Sequence, residues 1–173
     1  MQNLSNAPML TTQRLLLRGP ERGDLPAFTR FKTSAPSMQA LGETVTAEQA
    51  WFGFLIGIGH WHWHGFGFFT VVEQQTGLPV GRVGLIKHSN WPEMELAWHL
   101  FEGAEGKGFA TEAALAVRTW AYEGLGVDRL YSYIDRKNTR SQAVATRLGA
   151  VTDGTRAPHY PEAEVWVHAL KSP

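Results

Sequence analysis

Three glycines in residues 103–108 lead straight into a helix, and that junction constrains this chain more than any other stretch. Upstream of it, Met94-Glu95-Leu96-Ala97-Trp98-His99-Leu100 alternates with a period of two. A strand there puts Met94, Leu96, Trp98 and Leu100 on one face, and Glu95, Ala97 and His99 on the other. Downstream, residues 109–122 read as an unbroken helix that Gly124 and Gly126 end. Glycine opens backbone paths closed to bulkier residues, and the first turn of a helix has N–H groups without carbonyl partners. Such a junction is either a plain glycine turn or a nest for a phosphate or pyrophosphate. It matches neither GxxxxGK[ST] nor GxGxxG, which disfavours P-loop hydrolysis and dinucleotide binding.

The rest of the chain reads as short elements around this junction. Residues 12–18 are an expected strand ended by Gly19-Pro20, and 24–32 a helix with Leu25, Phe28 and Phe31 on its buried face. Thr46 and Gln49 form a capping box for a second helix over 47–58, whose end the glycines fray. Residues 66–73 and 80–87 pair as antiparallel strands through the turn at 74–77. A strand over 129–135, a helix from Asn138 to about Leu148 and a last strand over 163–170 complete the order. Residues 150–162 read as a short strand and a loop around Pro158 and Pro161. Strand pairs first, then strand, helix, strand, helix, strand, predict an α+β domain around one mixed sheet, preceded by a flexible lead-in over 1–11. The 173 residues suit one domain, here 12–173.

Charge and composition remove several function classes. Sixteen Lys and Arg balance sixteen Asp and Glu, so no broad cationic surface is available for nucleic acid or anionic lipid. The chain has no cysteine, which excludes disulfides and a cysteine acyl intermediate. No stretch reaches the roughly 20 apolar residues of a membrane span, and the N-terminal residues lack a secretion pattern, so the expectation is a cytoplasmic protein.

The residues at the glycine junction resemble the GCN5-related N-acetyltransferase (GNAT) superfamily, and within it the Rim-like enzymes that acetylate protein N-termini and small amines. The family's acetyl-CoA motif, Gln or Arg, two free positions, Gly, one free position, then Gly or Ala, falls on Glu105, Gly106, Lys107, Gly108, Phe109 and Ala110. Its strand of the type Glu-Ile-Gly-Tyr-Trp-Leu is similar to residues 95–100, and its Asn, Ser and Leu-Gly pattern to Asn138, Ser141, Leu148 and Gly149. The resemblance also covers residues 12–18, 76–77 and 80–85, and so runs from about 12 to 170. Glu105 departs from it, placing an acid where Gln or Arg is usual.

The resemblance implies a single GNAT-like domain with a splayed parallel pair, strands 94–100 and 129–135, flanked by helices. Acetyl-CoA would lie in that gap, its pyrophosphate on the backbone of Gly106, Lys107, Gly108, Phe109, Ala110 and Thr111, with Lys107 adding charge. A backbone N–H among Leu96, Ala97 and Trp98 would meet the thioester oxygen, and Asn138 the pantetheine arm. Glu95 is implied as the base that takes the acceptor's proton, through water or directly, and Ser141 as the group at the CoA sulfur. Many members carry a tyrosine where this chain has Ala145. The implied partners are an amine acceptor, a small molecule or a peptide N-terminus, and a second copy in a homodimer.

The tract His60-Trp61-His62-Trp63-His64 stands apart. In an extended conformation its histidines would share a face, as in zinc sites, yet no carboxylate pattern flanks them, and no metal is expected. The other reading is an aromatic lid, with Trp51, Trp61 and Trp63 walling the acceptor pocket and Tyr160 closing it; His99, on the same face of its strand as Glu95, is either a further pocket residue or a structural histidine. The rival within the same fold is an inactive acyl-CoA-binding or protein-interaction module.

Overall fold

Alternating apolar residues build one sheet, whose strands run β1 (Leu10–Thr11), β2 (Leu15–Arg18), β3 (Phe68–Glu73), β4 (Leu78–Ile86), β5 (Glu95–Leu100), β6 (Arg129–Asp135), β7 (Arg156–Ala157) and β8 (Tyr160–Ala169). These come from a computed structural model describing residues 4–39 and 41–169. The helices are α1 (Leu25–Thr33), α2 (Ala35–Met38), α3 (Ala47–His64), α4 (Phe109–Gly124) and α5 (Thr139–Arg147). Among the described residues the sheet has eight strands in the order β1-β2-β3-β4-β5-β6-β8-β7. Every neighbouring pair is antiparallel except β5 and β6, which are parallel. The expected α+β fold with a mixed sheet and a splayed parallel pair is therefore present.

Register sorts the side chains onto two faces. Phe69, Val83 and Trp98 are aligned across β3, β4 and β5, as are Leu85 and Leu96. With Leu15, Leu17, Val71, Leu130 and Ile134 they pack against Phe109, Ala113, Ala114, Val117 and Ala121 of α4. The alanines on that helix face let α4 approach the sheet closely. The opposite face carries Thr70, Arg82 and His99 in one row, and Ile86 beside Glu95 in another. It lies under α1 and α3, which have their own small apolar cluster of Phe28, Ala50 and Phe54.

The structure lengthens one expected element. Thr46 and Gln49 do form the capping box, but α3 continues for 18 residues and takes in the whole His-Trp tract. Trp61 explains why: its indole is wholly buried against Phe69 and Trp120 and donates from Nε1 to the Phe68 carbonyl at 2.9 Å. An indole burying on the order of 200 Å² contributes about 5 kcal/mol. Two interior glycines cost about 2 kcal/mol, so the helix runs on through Gly57 and Gly59. It stops at Gly65, whose φ of 74° and N–H bond to the Trp61 carbonyl make a left-handed cap. The last strand starts three residues earlier than expected, at Tyr160; its expected end at Leu170, like residues 1–3 of the lead-in, lies outside the described residues.

The parallel pair positions the site. β4 and β5 share six paired positions and β6 and β8 seven, but β5 and β6 share only Glu95 with Tyr131. Beyond that point the two strands part toward their carboxyl ends. That is where α/β sheets bind ligands, because strand backbone groups there lack partners.

Candidate active site

The parting strands open a cleft of about 340 Å³, lined on one side by residues 95–99 and on the other by 132–135 with Asn138 and Ser141. Side chains replace the missing strand pairing at its closed end. Tyr133 N–H donates to Glu95 Oε1 at 3.4 Å, and Ser132 Oγ donates to the Leu96 carbonyl at 2.6 Å. That hydroxyl has one proton, so the 3.0 Å contact between Ser132 Oγ and His168 Nε2 makes the histidine the donor. His168 is thereby a neutral Nε2–H tautomer, and burial drives its pKa down to about 4. The wedge keeps the gap from closing and holds no charge of its own.

Strand alternation decides which backbone groups face the gap. Met94 accepts from Tyr131 N–H and Leu96 from Ser132, so residues 94, 96 and 98 turn their N–H and C=O toward β6. Ala97, on the other phase, directs its backbone to β4, and its contribution to the cleft is its small side chain. Trp98 is the next residue of that phase after Leu96, and its N–H is directed into the gap between the parting strands.

Glu95 is 8 % exposed, and burial pushes its carboxyl up to about 8, an effect the Tyr133 N–H only partly opposes. Ser141 is organised from two sides. Asn138 Oδ1 accepts the Ser141 N–H at 3.1 Å as the cap of α5, which leaves the Asn138 amide NH₂ available to the cleft. Trp98 Nε1 donates to Ser141 Oγ at 3.2 Å. An indole N–H only donates, so the serine oxygen is the acceptor and its own proton must point elsewhere.

The glycine loop lies beyond the carboxyl end of β5 and does not line this cleft. Gly106 and Gly108 have φ of 76° and 80°, and Gly108 caps α4 without any side-chain hydrogen bond. The first-turn N–H groups are thus presented to solvent in a 16-residue helix, with Lys107 beside them. Arg14 joins them: its Nη1 donates to the Lys107 carbonyl at 2.9 Å, and its ion pair with Glu112 at 2.6 Å cancels the acid of that turn. An uncapped helix start whose acid is neutralised, with the Lys107 cation beside it, suits a pyrophosphate. Phe109 and Ala110 are buried in the core, so they offer only backbone N–H groups there, while Glu105 is exposed. The residues therefore fit acetyl-CoA in two parts, an anion nest and a gap with an inward backbone donor.

Several expected pocket residues lie elsewhere. Trp61 is a core residue of the α4 side and cannot wall an acceptor pocket, a correction that follows from the longer α3. Trp51 and Trp63 are exposed on α3, 44 % and 84 %, and do not line the cleft. The helix also separates the histidines: His60 and His64 rings lie 4.5 Å apart, while His62 contacts the Leu4 carbonyl. His60 is already held, its Nδ1 against the Phe66 carbonyl and its Nε2 accepting from Lys87 N–H. His99 and Tyr160 do line the cleft, Tyr160 donating to Asp135 Oδ2 at 3.2 Å on its rim.

Sequence reasoning missed Ser132, His168 and Tyr133. For Ser132 a signal exists: it sits between Leu130 and Ile134 on the inward phase of β6, a hydroxyl where the pattern asks for an apolar residue. His168 and Tyr133 carry no such signal, because their roles depend on which strand lies beside them.

Residues 14–151 match the family described as the acetyltransferase (GNAT) domain. The crystal structure of an acetyltransferase from Agrobacterium tumefaciens str. C58 superposes with a TM-score of 0.88 at 36 % identity, covering 95 % of this chain and 96 % of that one. The ribosomal-protein-S5-alanine acetyltransferase of Vibrio fischeri shares the fold, with a TM-score of 0.72 at 17 % identity over 96 % of this chain and all of its own. Among curated proteins, the uncharacterized N-acetyltransferase YnaD of Bacillus subtilis (strain 168) is 22 % identical over 157 residues, 91 % of each chain. No described helix is long and apolar enough to cross a membrane. The match over most of the chain, on a fold with this gap and this glycine loop, means that the protein belongs to the GNAT family and is an acetyl-CoA-dependent N-acetyltransferase.

Proposed function

We propose that Glu95 and Ser141, which both line the cleft between the splayed strands, carry acetyl transfer to a primary amine on a small molecule or a peptide N-terminus. The observation that carries this reading is the Trp98–Ser141 hydrogen bond in the same gap as the buried Glu95 carboxyl. Acetyl-CoA supplies the activated acetyl group as a thioester. Glu95 takes a proton from the acceptor ammonium at Oε, directly or through one water, and a pKa raised to about 8 makes it a better base than an ordinary carboxylate. The Trp98 backbone N–H polarises the carbonyl oxygen being attacked. Ser141, its oxygen engaged by the Trp98 indole, passes its hydroxyl proton to the departing sulfur as it takes up the second proton shed by the attacking nitrogen. Asn138 holds the arm of the cofactor through its free amide NH₂. Gly106, Lys107, Gly108, Phe109, Ala110 and Thr111 bind the pyrophosphate through backbone N–H groups, with Lys107 supplying charge and Arg14 neutralising Glu112.

The test is a comparison of the wild-type protein with Glu95→Gln and Ser141→Ala in an amine screen, with acetyl-CoA affinity measured alongside by calorimetry. General acid or base groups contribute about 10²–10⁴-fold, so Glu95→Gln is expected to lose at least 100-fold in turnover while binding the cofactor within a few-fold. Retained turnover in both variants would assign the proton transfers elsewhere. We also propose a homodimer through α3, supported by Trp51, Phe52, Leu55, Ile56 and Trp63, all exposed on that helix. Light scattering of the wild type and Trp63→Glu checks it: a monomeric wild type rejects it.

A further inference from the structure

At the far end of the cleft floor from Glu95 lies a group of cations without a counter-charge. Arg82 Nε donates to His99 Nδ1 at 2.9 Å. The Arg82 guanidinium sits over the rings of Phe68 at 4.2 Å and Phe28 at 4.8 Å, and the His99 ring stacks on Phe68 and Phe31. Lys32 of α1 is near enough to both for its charge to disfavour protonation of His99. Among the described residues every recorded ion pair belongs to Arg14 or Arg18, and neither Arg82 nor Lys32 has one. Asp24 is a nearby acid that borders a small cavity together with Arg82, but its oxygens are taken by Arg18, Thr70 and Glu21 N–H. Aromatic faces offset part of the lost hydration of a guanidinium and do not neutralise it.

This arrangement orients His99. Its Nδ1 accepts from a group that cannot lose its proton, so the ring is neutral and its one proton is on Nε2. Nε2 has no hydrogen-bond partner among the described residues, and His99 lines the cleft. A donor backed by two uncompensated cations thus faces the cleft.

We infer that the acceptor amine carries a carboxylate at some distance from its nitrogen, bound by His99 Nε2–H in the field of Arg82 and Lys32, an inference that rests on the acetyl-transfer site proposed above. The spacing bounds that distance. Glu95 and His99 are four residues apart on one face of β5, about 13 Å between Cα atoms at strand rise, and their side chains shorten the span. An α-amino acid, whose amine and carboxylate share one carbon, is too short. A chain of four to six atoms between the two groups fits, as in an ω-amino acid or in a peptide whose second residue is acidic. His99 contacts the substrate directly in this scheme; Arg82 is a positioning residue that sets its tautomer and field.

The test uses matched acceptor pairs that differ only in charge. One arm compares 6-aminohexanoate with 6-aminohexanamide, and the other Ala-Asp-Ala-amide with Ala-Asn-Ala-amide. At least one acid is expected to have a kcat/KM ten-fold or more above its amide, mostly through KM, and the arm that shows it tells a small acceptor from a peptide. Lys32→Gln, on the half-exposed end of the cluster, is expected to reduce that ratio several-fold, and Arg82→Gln, where it folds, to abolish it. Binding of the acids to the CoA-saturated protein, followed by calorimetry, gives the same order without turnover. Equal kcat/KM within both pairs overturns the inference while leaving the acetyl-transfer reading intact. No acetylation of any amine by a protein that binds acetyl-CoA, with no preference for acids in binding, overturns both.

Discussion

Replacing Glu95 by Gln should make the protein more stable as well as slower, and the stability gain should depend on pH. Burial pushes the Glu95 carboxyl up to about 8 from its ordinary 4.5. The native state therefore holds a proton between those values that the unfolded chain has released, so wild-type stability falls as pH rises from about 4.5 to 8 and levels off beyond. A pKa difference of about 3.5 corresponds to a loss approaching 4–5 kcal/mol at full effect, at 1.36 kcal/mol per pKa unit. Glutamine does not titrate and still offers an oxygen to the Tyr133 N–H. Urea unfolding of both proteins at pH 5, 6, 7, 8 and 9 is the assay. The variant should match the wild type within about 1 kcal/mol at pH 5 and exceed it by about 3 kcal/mol or more at pH 9, which in a chain of this size raises Tm by roughly 6–12 °C. Parallel curves, with the same difference at every pH, would refute the claim that Glu95 is buried in its neutral form.

Three other changes have expected outcomes. Trp98→Phe removes the indole donor while keeping an aromatic ring, so Ser141 is free to rotate; steady-state kinetics should show kcat down about 3–10-fold with the KM for acetyl-CoA nearly unchanged, as suits a group worth about 1 kcal/mol. Asp24→Asn disrupts a buried carboxylate that Arg18, Thr70 and the Glu21 N–H hold below its ordinary pKa, and should cost about 2–4 kcal/mol at neutral pH. That penalty should shrink as pH falls below about 4, where the unfolded aspartate takes up a proton that native Asp24 still resists, and unfolding titrations across pH 3–7 check it. Gly84→Ala would put a Cβ 2.1 Å from the Gly67 carbonyl oxygen, a backbone atom that no rotamer change can move, and should destabilise by about 3 kcal/mol or more by thermal unfolding.

How much of this was legible beforehand depended on whether a feature is local. The strand at 129–135 and the start of α3 at its capping box were readable because alternation and capping are properties of neighbouring residues. The splayed parallel pair followed from family resemblance, since no short window of sequence says which strands adjoin. The His-Trp tract misled for a definite reason: glycines at 57 and 59 and a period-two pattern of histidines argue against helix locally, while the burial of one indole, against residues far along the chain, outweighs both. The same holds for His99. Its place on the Glu95 face of β5 was evident, but the Arg82 donor that sets its tautomer comes from the neighbouring strand. Ser132 was discernible in principle as a polar residue on an apolar phase; its partner His168 was not.

The most direct test of the proposed chemistry is the pH dependence of kcat at saturating acetyl-CoA and amine, in the wild type and in Glu95→Gln. If Glu95 is the base, wild-type kcat rises about ten-fold per pH unit at low pH and levels off near the carboxyl's raised value of about 8, while the variant is slow and lacks that inflection. A variant that keeps both the wild-type rate and its inflection would contradict the assignment of Glu95 as the group that takes the acceptor's proton.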